Sequence, residues 1–191
     1  MERKGVSAVF YRRREKVSGI YTVEVKITCF CLTRMRDKRY NESYMDYEKI
    51  IMYTDGASRG NPGPASIGVH IETLNKDFGV RIGETTNNDA EYQALVFGLK
   101  KIKALVGKEK AKKIAVECRM DSELVVKQLN HVYKILHQTT QKHFLEIWNL
   151  MLDFREVTFH HVFRENNTIA DALANKALDQ GTQQEFLKTQ T

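Results

Sequence analysis

The sequence predicts an α/β fold in which a five-stranded mixed sheet is flanked by helices, and three observations predict it. Three apolar or alternating runs follow one another over 49–85 with only turns between them, the pattern of an antiparallel meander. The hydrophobic period then changes from two to about 3.6 over 90–106. Beyond that point strand-like and helix-like segments alternate, which sets parallel strands beside the meander and helices on its faces.

The first core strand is read over 49–54 and ends in a turn over 55–64 punctuated by Gly56, Gly60, Pro62 and Gly63. Strands over 66–73 and 78–85, joined by 74–77, complete the meander. A helix follows in which Ala90, Ala94, Leu95, Gly98, Leu99, Ile102, Leu105 and Val106 share a face, with Asn88 as its N-cap. A fourth strand over 114–117 leads to a short helix over 122–129. A longer helix over 143–154 turns Phe144, Ile147, Trp148, Met151 and Leu152 inward. The fifth strand spans 157–162, and a last helix runs from Thr168 to about Gln180. The remainder, 181–191, is expected to be a polar, frayed tail.

The chain has 191 residues and a formal charge of +6, unevenly placed. Residues 1–44 carry 11 Lys and Arg against 5 Asp and Glu, while 45–191 carry 19 of each. The expected organisation is therefore a basic N-terminal extension over 1–44 and a catalytic domain over 45–180. A basic arm suits a polyanionic partner, although most charged runs are simply solvated. Within it, 20–32 alternates like a strand between two basic clusters. Two readings stay open there: a small strand-containing arm, or a disordered or non-native extension ahead of Met45, a natural start. Cys29, Cys31 and Cys118 form no zinc or disulfide pattern and are read as reduced thiols. No run approaches the roughly 18 apolar residues of a membrane span, and charges interrupt the N-terminus. The expectation is a soluble, cytoplasmic monomer with no membrane partner.

Acidic residues fall where α/β sheets gather function, at strand ends and helix starts. Asp55 and Asp121 end the first and fourth strands, and Glu91 and Asp171 lie in the first turns of two helices. Each has an ordinary explanation. Residues 88–91 and 168–171 both resemble capping boxes, Asp121 could cap the helix that follows it, and Asp55-Gly56 could be a plain turn.

Their joint context outweighs these explanations. The segment 53–64 (YTDGASRGNPGP), then Thr85-Thr86-Asn87-Asn88 with Glu91, then Met120-Asp121-Ser122, then Ala170-Asp171-Ala172-Leu173-Ala174 resemble the successive motifs of type 1 ribonuclease H in order and spacing, over 49–178. The resemblance implies an enzyme that cuts the RNA strand of an RNA–DNA hybrid with two divalent ions. Oxygen ligands suit Mg²⁺, with Mn²⁺ as the alternative. It further implies that Asp55 bridges the two ions, that Glu91 and Asp121 hold one, and that Asp171 completes the other. Sensing of the hybrid would fall to Gly56, Ala57, Ser58, Asn61, Asn87, Asn88 and Ser122, with Thr86 and Asn61 on a DNA-strand phosphate. For the glycines and amides, the ordinary alternative is a turn residue.

The sequence departs from that pattern in two places. Bacterial members usually carry a histidine in the loop before the last carboxylate, whereas 162–167 here has none. His161 is expected inside the fifth strand on the face of Val157 and Phe159, packed or half-exposed, which leaves Arg164 as the substitute. The segment 131–142 is also short and lacks a basic protrusion, so duplex binding there is expected to be weak and steeply salt-dependent. This compact architecture resembles archaeal and some bacterial members and the ribonuclease H domain of retroelements. Among rivals, a proofreading exonuclease would show Asp-x-Glu on the first strand, and a non-catalytic hybrid-binding module would lack a carboxylate. Double-stranded RNA stays open as a second substrate.

Overall fold

The computed structural model describes the backbone of residues 14–17, 20–23 and 47–188, with side chains over 47–180. The chain divides into two compact units, Met1–Tyr44 and Met45–Thr191. In the first, β1 (Arg14–Val17) and β2 (Ile20–Val23) pair antiparallel, with Arg14 opposite Val23 and Val17 opposite Ile20. Of the alternating run 20–32, only Ile20–Val23 is described as strand; the rest, with Cys29 and Cys31, lies outside the described residues.

The second unit opens with the expected meander: β3 (Lys49–Ser58), β4 (Gly63–Ile71) and β5 (Lys76–Thr85). Then come α1 (Asn87–Val106), α2 (Lys108–Ala111), β6 (Ala115–Met120), α3 (Glu123–Leu129), α4 (Gln138–Met151), β7 (Glu156–His161) and α5 (Thr168–Lys188). The five-stranded sheet runs β5-β4-β3-β6-β7. Its β3 is antiparallel to β4 and parallel to β6, and β6 is parallel to β7. The sheet is therefore mixed, as the sequence predicts, and β3 lies where the two pairing modes meet.

Close backbone approach fixes the two helices that matter most for the sheet's end. A Cβ on Gly56 would lie 2.2 Å from the Glu91 nitrogen, so glycine lets α1 rest directly on β3. A Cβ on Gly68 would lie 2.0 Å from the Ala170 carbonyl oxygen, so α5 is seated against β4 in the same manner. Gly68 pairs with Asp55, and successive strand residues alternate faces, so α1 and α5 cover opposite faces. Between α1 and the sheet lie Ile50, Met52, Leu95, Leu99 and Ile102, all fully buried. Each such side chain contributes about 1.5–3 kcal/mol of burial.

Several boundaries differ from expectation, each for a physical reason. β3 runs on through Asp55, Gly56 and Ala57 to Ser58, because Gly56 serves helix contact rather than a turn, and the turn itself shrinks to Arg59–Pro62. α4 begins at Gln138 rather than 143. Its buried face is Thr140, Ile147 and Leu150, with Phe144 and Met151 packed against the core. Trp148 and Leu152, expected inward, are 50% and 67% exposed, because the real stripe passes through 140, 144, 147 and 151. α5 stays helical through Lys188, past the expected end near Gln180. Among the described residues no helix is long and apolar enough to cross a membrane.

Candidate active site

β3 and β6 remain paired only as far as Tyr53 opposite Arg119. Past that pair β3 continues beside β4 alone, and β6 ends at Met120. The gap so opened holds Asp55 on the strand and Asp121 just beyond the other strand's last residue. Such a gap, outside the carboxyl end of one of two neighbouring parallel strands, is where open α/β sheets place ligands.

Glu91 reaches the gap from α1. Its helix is capped by Thr86, whose Oγ1 accepts the Asp89 N–H at 3.3 Å. The cap therefore lies two residues before Asn88, and Asp89 rather than Glu91 is the acidic residue of the first turn. Glu91 is thus not engaged as a capping box, contrary to the ordinary reading of 88–91. Asp89 accepts from Thr85 Oγ1 at 2.5 Å and Gln93 Nε2 at 2.9 Å, and His143 Nε2 lies 2.9 Å from its other oxygen.

Asp55, Glu91 and Asp121 each present a carboxylate oxygen within 4.8 Å of the others. Three carboxylates in a half-dry gap repel one another, and the charged forms of Asp55 and Glu91 are disfavoured by it. Burial first, then repulsion from Asp121 and Asp171, pushes Asp55 from 3.8 up to about 7, despite the opposing pull of Arg164. Burial first, then repulsion from Asp55 and Asp121, pushes Glu91 from 4.5 up to about 8, against a hydrogen bond from Ser122. An all-oxygen donor set of this kind matches a hard divalent cation, whose charge would relieve both the repulsion and the protonation.

Asp171 stands apart from the converging three. It lies in the first turn of α5, accepts the Arg164 guanidinium at 2.8 Å, and still raises Asp55 through space. Its helix begins at Thr168, and the Asp171 N–H donates to the Asn167 carbonyl at 3.1 Å, so Thr168 is not the capping residue of a box. His161 is exposed rather than packed, beside Phe163 with ring centroids 6.1 Å apart. Two residues past the core partners Val157 and Phe159, β7 has reached its end.

The end of β3 and the start of α1 meet through an amide. The Ser58 N–H donates to Asn87 Oδ1 at 3.2 Å, which joins the end of β3 to the start of α1 beside Gly56 and Ala57. Asn88 Nδ2 donates to Thr140 Oγ1 at 3.4 Å, and its buried Oδ1 has no protein partner. Asn61 is exposed in the turn before Gly63, and Gly63 pairs with Thr85, so Asn61 and Thr86 share one end of the sheet. Ser122 is the residue before α3, and its side chain bonds Glu91 instead of capping that helix.

Sequence reasoning passed over Asn167, taken only as part of a connecting loop. Its side chain is buried and bonds both Thr54 O, at 3.0 Å, and Asp121 Oδ1, at 3.1 Å. An amide immediately before a helix start was the available signal.

Comparison with known proteins bears on the same span. A family model described as reverse transcriptase-like matches residues 53–177. A bifunctional protein of Mycobacterium tuberculosis is 37% identical over 140 residues, covering 71% of this chain and 37% of that protein. Ribonuclease HI of Halobacterium salinarum is 38% identical over 135 residues, covering 69% of this chain and 65% of the relative. The chain thus spans little more than a third of the first relative and just under two thirds of the second. The crystal structure of LC11-RNase H1 in complex with an RNA/DNA hybrid superposes with a TM-score of 0.65 at 43% identity, covering 70% of this chain and 99% of that one.

Proposed function

The chain belongs to the ribonuclease H family, and we propose that it is a metal-dependent endoribonuclease that hydrolyses the RNA strand of RNA–DNA hybrids. The observation that carries this reading is the convergence of Asp55, Glu91 and Asp121 within 4.8 Å, where burial and mutual repulsion push Asp55 up to about 7 and Glu91 up to about 8. A structural ion pair or a solvated acidic patch would not repel itself in this way.

Asp55, Glu91, Asp121 and Asp171 would hold the ions, with Mg²⁺ as the first choice and Mn²⁺ as the second. Bound divalent ions supply a nucleophilic hydroxide near neutral pH and charge stabilisation for the phosphoryl transition state. Everything else falls to the protein. Asp55, buried and repelled by both Asp121 and Asp171, would be the ligand on which the ion-holding set depends most. Ser122 orients Glu91 by its hydrogen bond. Arg164 holds Asp171 and places a fixed cation at the rim, the position the missing loop histidine would serve. Its guanidinium is always charged, so it stabilises developing negative charge rather than shuttling a proton.

Substrate selection would rest on the wide minor groove of an A-like duplex. There the backbone of Gly56, Ala57 and Ser58 and the amides of Asn87 and Asn88 can test for 2'-hydroxyls. Thr86 and Asn61 would take a DNA-strand phosphate. All four carboxylates come from one chain, which suits a monomeric enzyme, and cytoplasmic action remains part of the proposal.

The test is incubation of the protein, and of Asp55→Asn, with a strand-labelled hybrid in Mg²⁺ at low salt, beside DNA duplex, RNA duplex and single-stranded RNA. Internal cleavage confined to the hybrid's RNA, abolished by EDTA and by the substitution, supports the proposal. Binding without cleavage in both Mg²⁺ and Mn²⁺ would replace it with a hybrid-binding module.

A further inference from the structure

We infer that Asn167 is a positioning residue that locks Asp121 and the end of β3 into the ion-holding arrangement; the inference rests on the metal-dependent reading above. Its side chain is only 1% exposed, and it touches three of the site's anchor points at once. Nδ2 donates to Thr54 O, the carbonyl just before Asp55 and just past the last β3–β6 pair. The same nitrogen donates to Asp121 Oδ1. The Asn167 carbonyl accepts the N–H of Asp171. One residue thus ties the strand of Asp55, the loop of Asp121 and the helix of Asp171.

The chemistry of the amide explains why this residue type stands there. Both Nδ2 protons point at acceptors, so a flipped amide would set Oδ1 against a carbonyl and a carboxylate. The orientation is therefore fixed, and with it the rotation of the Asp121 carboxylate that Asn167 holds by Oδ1. An aspartate of the same shape would add a further negative charge in contact with Asp121, and alanine would reach neither acceptor. The arrangement leaves Asn167 Oδ1 buried with no protein partner. A side chain selected for packing alone would not keep an orphaned acceptor, whereas one that holds a ligand for metal has reason to.

Asn167 touches neither the ions nor the substrate in this account, so its effect is read in metal affinity. Asn167→Asp keeps the shape and removes the donors; Asn167→Ala removes both. Mg²⁺ is titrated against each protein, followed by the thermal midpoint and separately by hybrid cleavage. In both variants the Mg²⁺ needed for half-maximal response is expected to rise about 10- to 100-fold, while KM for the hybrid at saturating Mg²⁺ stays within about twofold. Should Asn167→Ala fail to fold, Asn167→Asp and the wild type decide. In the wild type, the Asn167 side-chain amide protons are expected to exchange slowly and to shift in the NMR spectrum on Mg²⁺ addition. An unchanged Mg²⁺ midpoint in Asn167→Asp, or an amide indifferent to saturating Mg²⁺, overturns the inference. If the wild type binds Mg²⁺ but leaves the hybrid intact, the enzymatic reading fails, and Asn167 is judged by the thermal and NMR titrations alone.

Discussion

Arg164 donates from Nη2 to Asp171 Oδ1 across 2.8 Å, so the loop after β7 carries its own cation to the fourth carboxylate. The Arg164 side chain is 75% exposed, and an ion pair so open to water adds about 0–1 kcal/mol to stability. Arg164→Ala is therefore expected to leave the thermal midpoint nearly unchanged while lowering kcat on the order of 10²-fold, as loss of a pre-placed charge does. Arg164→Lys should recover part of the loss. Steady-state kinetics beside a melting curve separate the two effects.

Asp55 and Glu91 make the metal-free protein less stable as pH rises. Their folded pKa values, about 7 and about 8, lie above the ordinary 3.8 and 4.5. Between these limits the folded state binds more protons than the unfolded one, so the stability available below about pH 4 is lost progressively up to about pH 8. Melting in EDTA across this range should show a falling midpoint. Saturating Mg²⁺ should flatten the profile, and its binding should release protons near neutral pH.

Asp55→Asn follows from the same repulsion. A neutral amide in the gap removes the most buried of the clustered charges, so in EDTA at pH 8 the variant should melt higher than the wild type. Hybrid cleavage should fall on the order of 10³-fold or more, since several kcal/mol of metal-borne charge stabilisation is lost. A variant that is both less stable and still active would contradict the arrangement of charges.

Gly56→Ala tests the seating of α1 on β3. The added Cβ would lie 2.2 Å from Glu91 N and 2.4 Å from Ala90 C, both backbone atoms with little freedom to yield. The expected cost is about 1–3 kcal/mol. Displacement of Glu91 should also weaken Mg²⁺ binding, measurable by calorimetry on the folded fraction.

Trp148 reports on the face of α4. It is the only tryptophan of the chain and is 50% exposed, so its fluorescence should be red-shifted and readily quenched by acrylamide. Trp148→Ser should change stability by less than about 0.5 kcal/mol, as for an ordinary surface position.

The sequence by itself determined the fold class, the order of the core strands and the acidic residues, Asp55, Glu91 and Asp121, that the fold brings together. Period, turn residues and motif spacing are local signals, and the chain carries them whether folded or not. What it left ambiguous depended on contacts distant in sequence. Gly56 reads as a turn glycine until α1, more than thirty residues away, is seen to need the missing side chain. Asn88 reads as the N-cap of α1 by propensity alone, and only the Thr86 side chain on Asp89 N–H shows the helix starting earlier, with Glu91 free of the capping turn. The apolar stripe of α4 was drawn too wide: Phe144, Ile147 and Met151 pack as expected, whereas Trp148 and Leu152 are exposed, because hydrophobicity alone does not say where the edge of a packed face falls. Asn167 carried no chemistry as a loop amide. It gained a role only where β3 and β6 part, because that gap leaves a carbonyl and a carboxylate beyond the last strand pair for one buried donor to join.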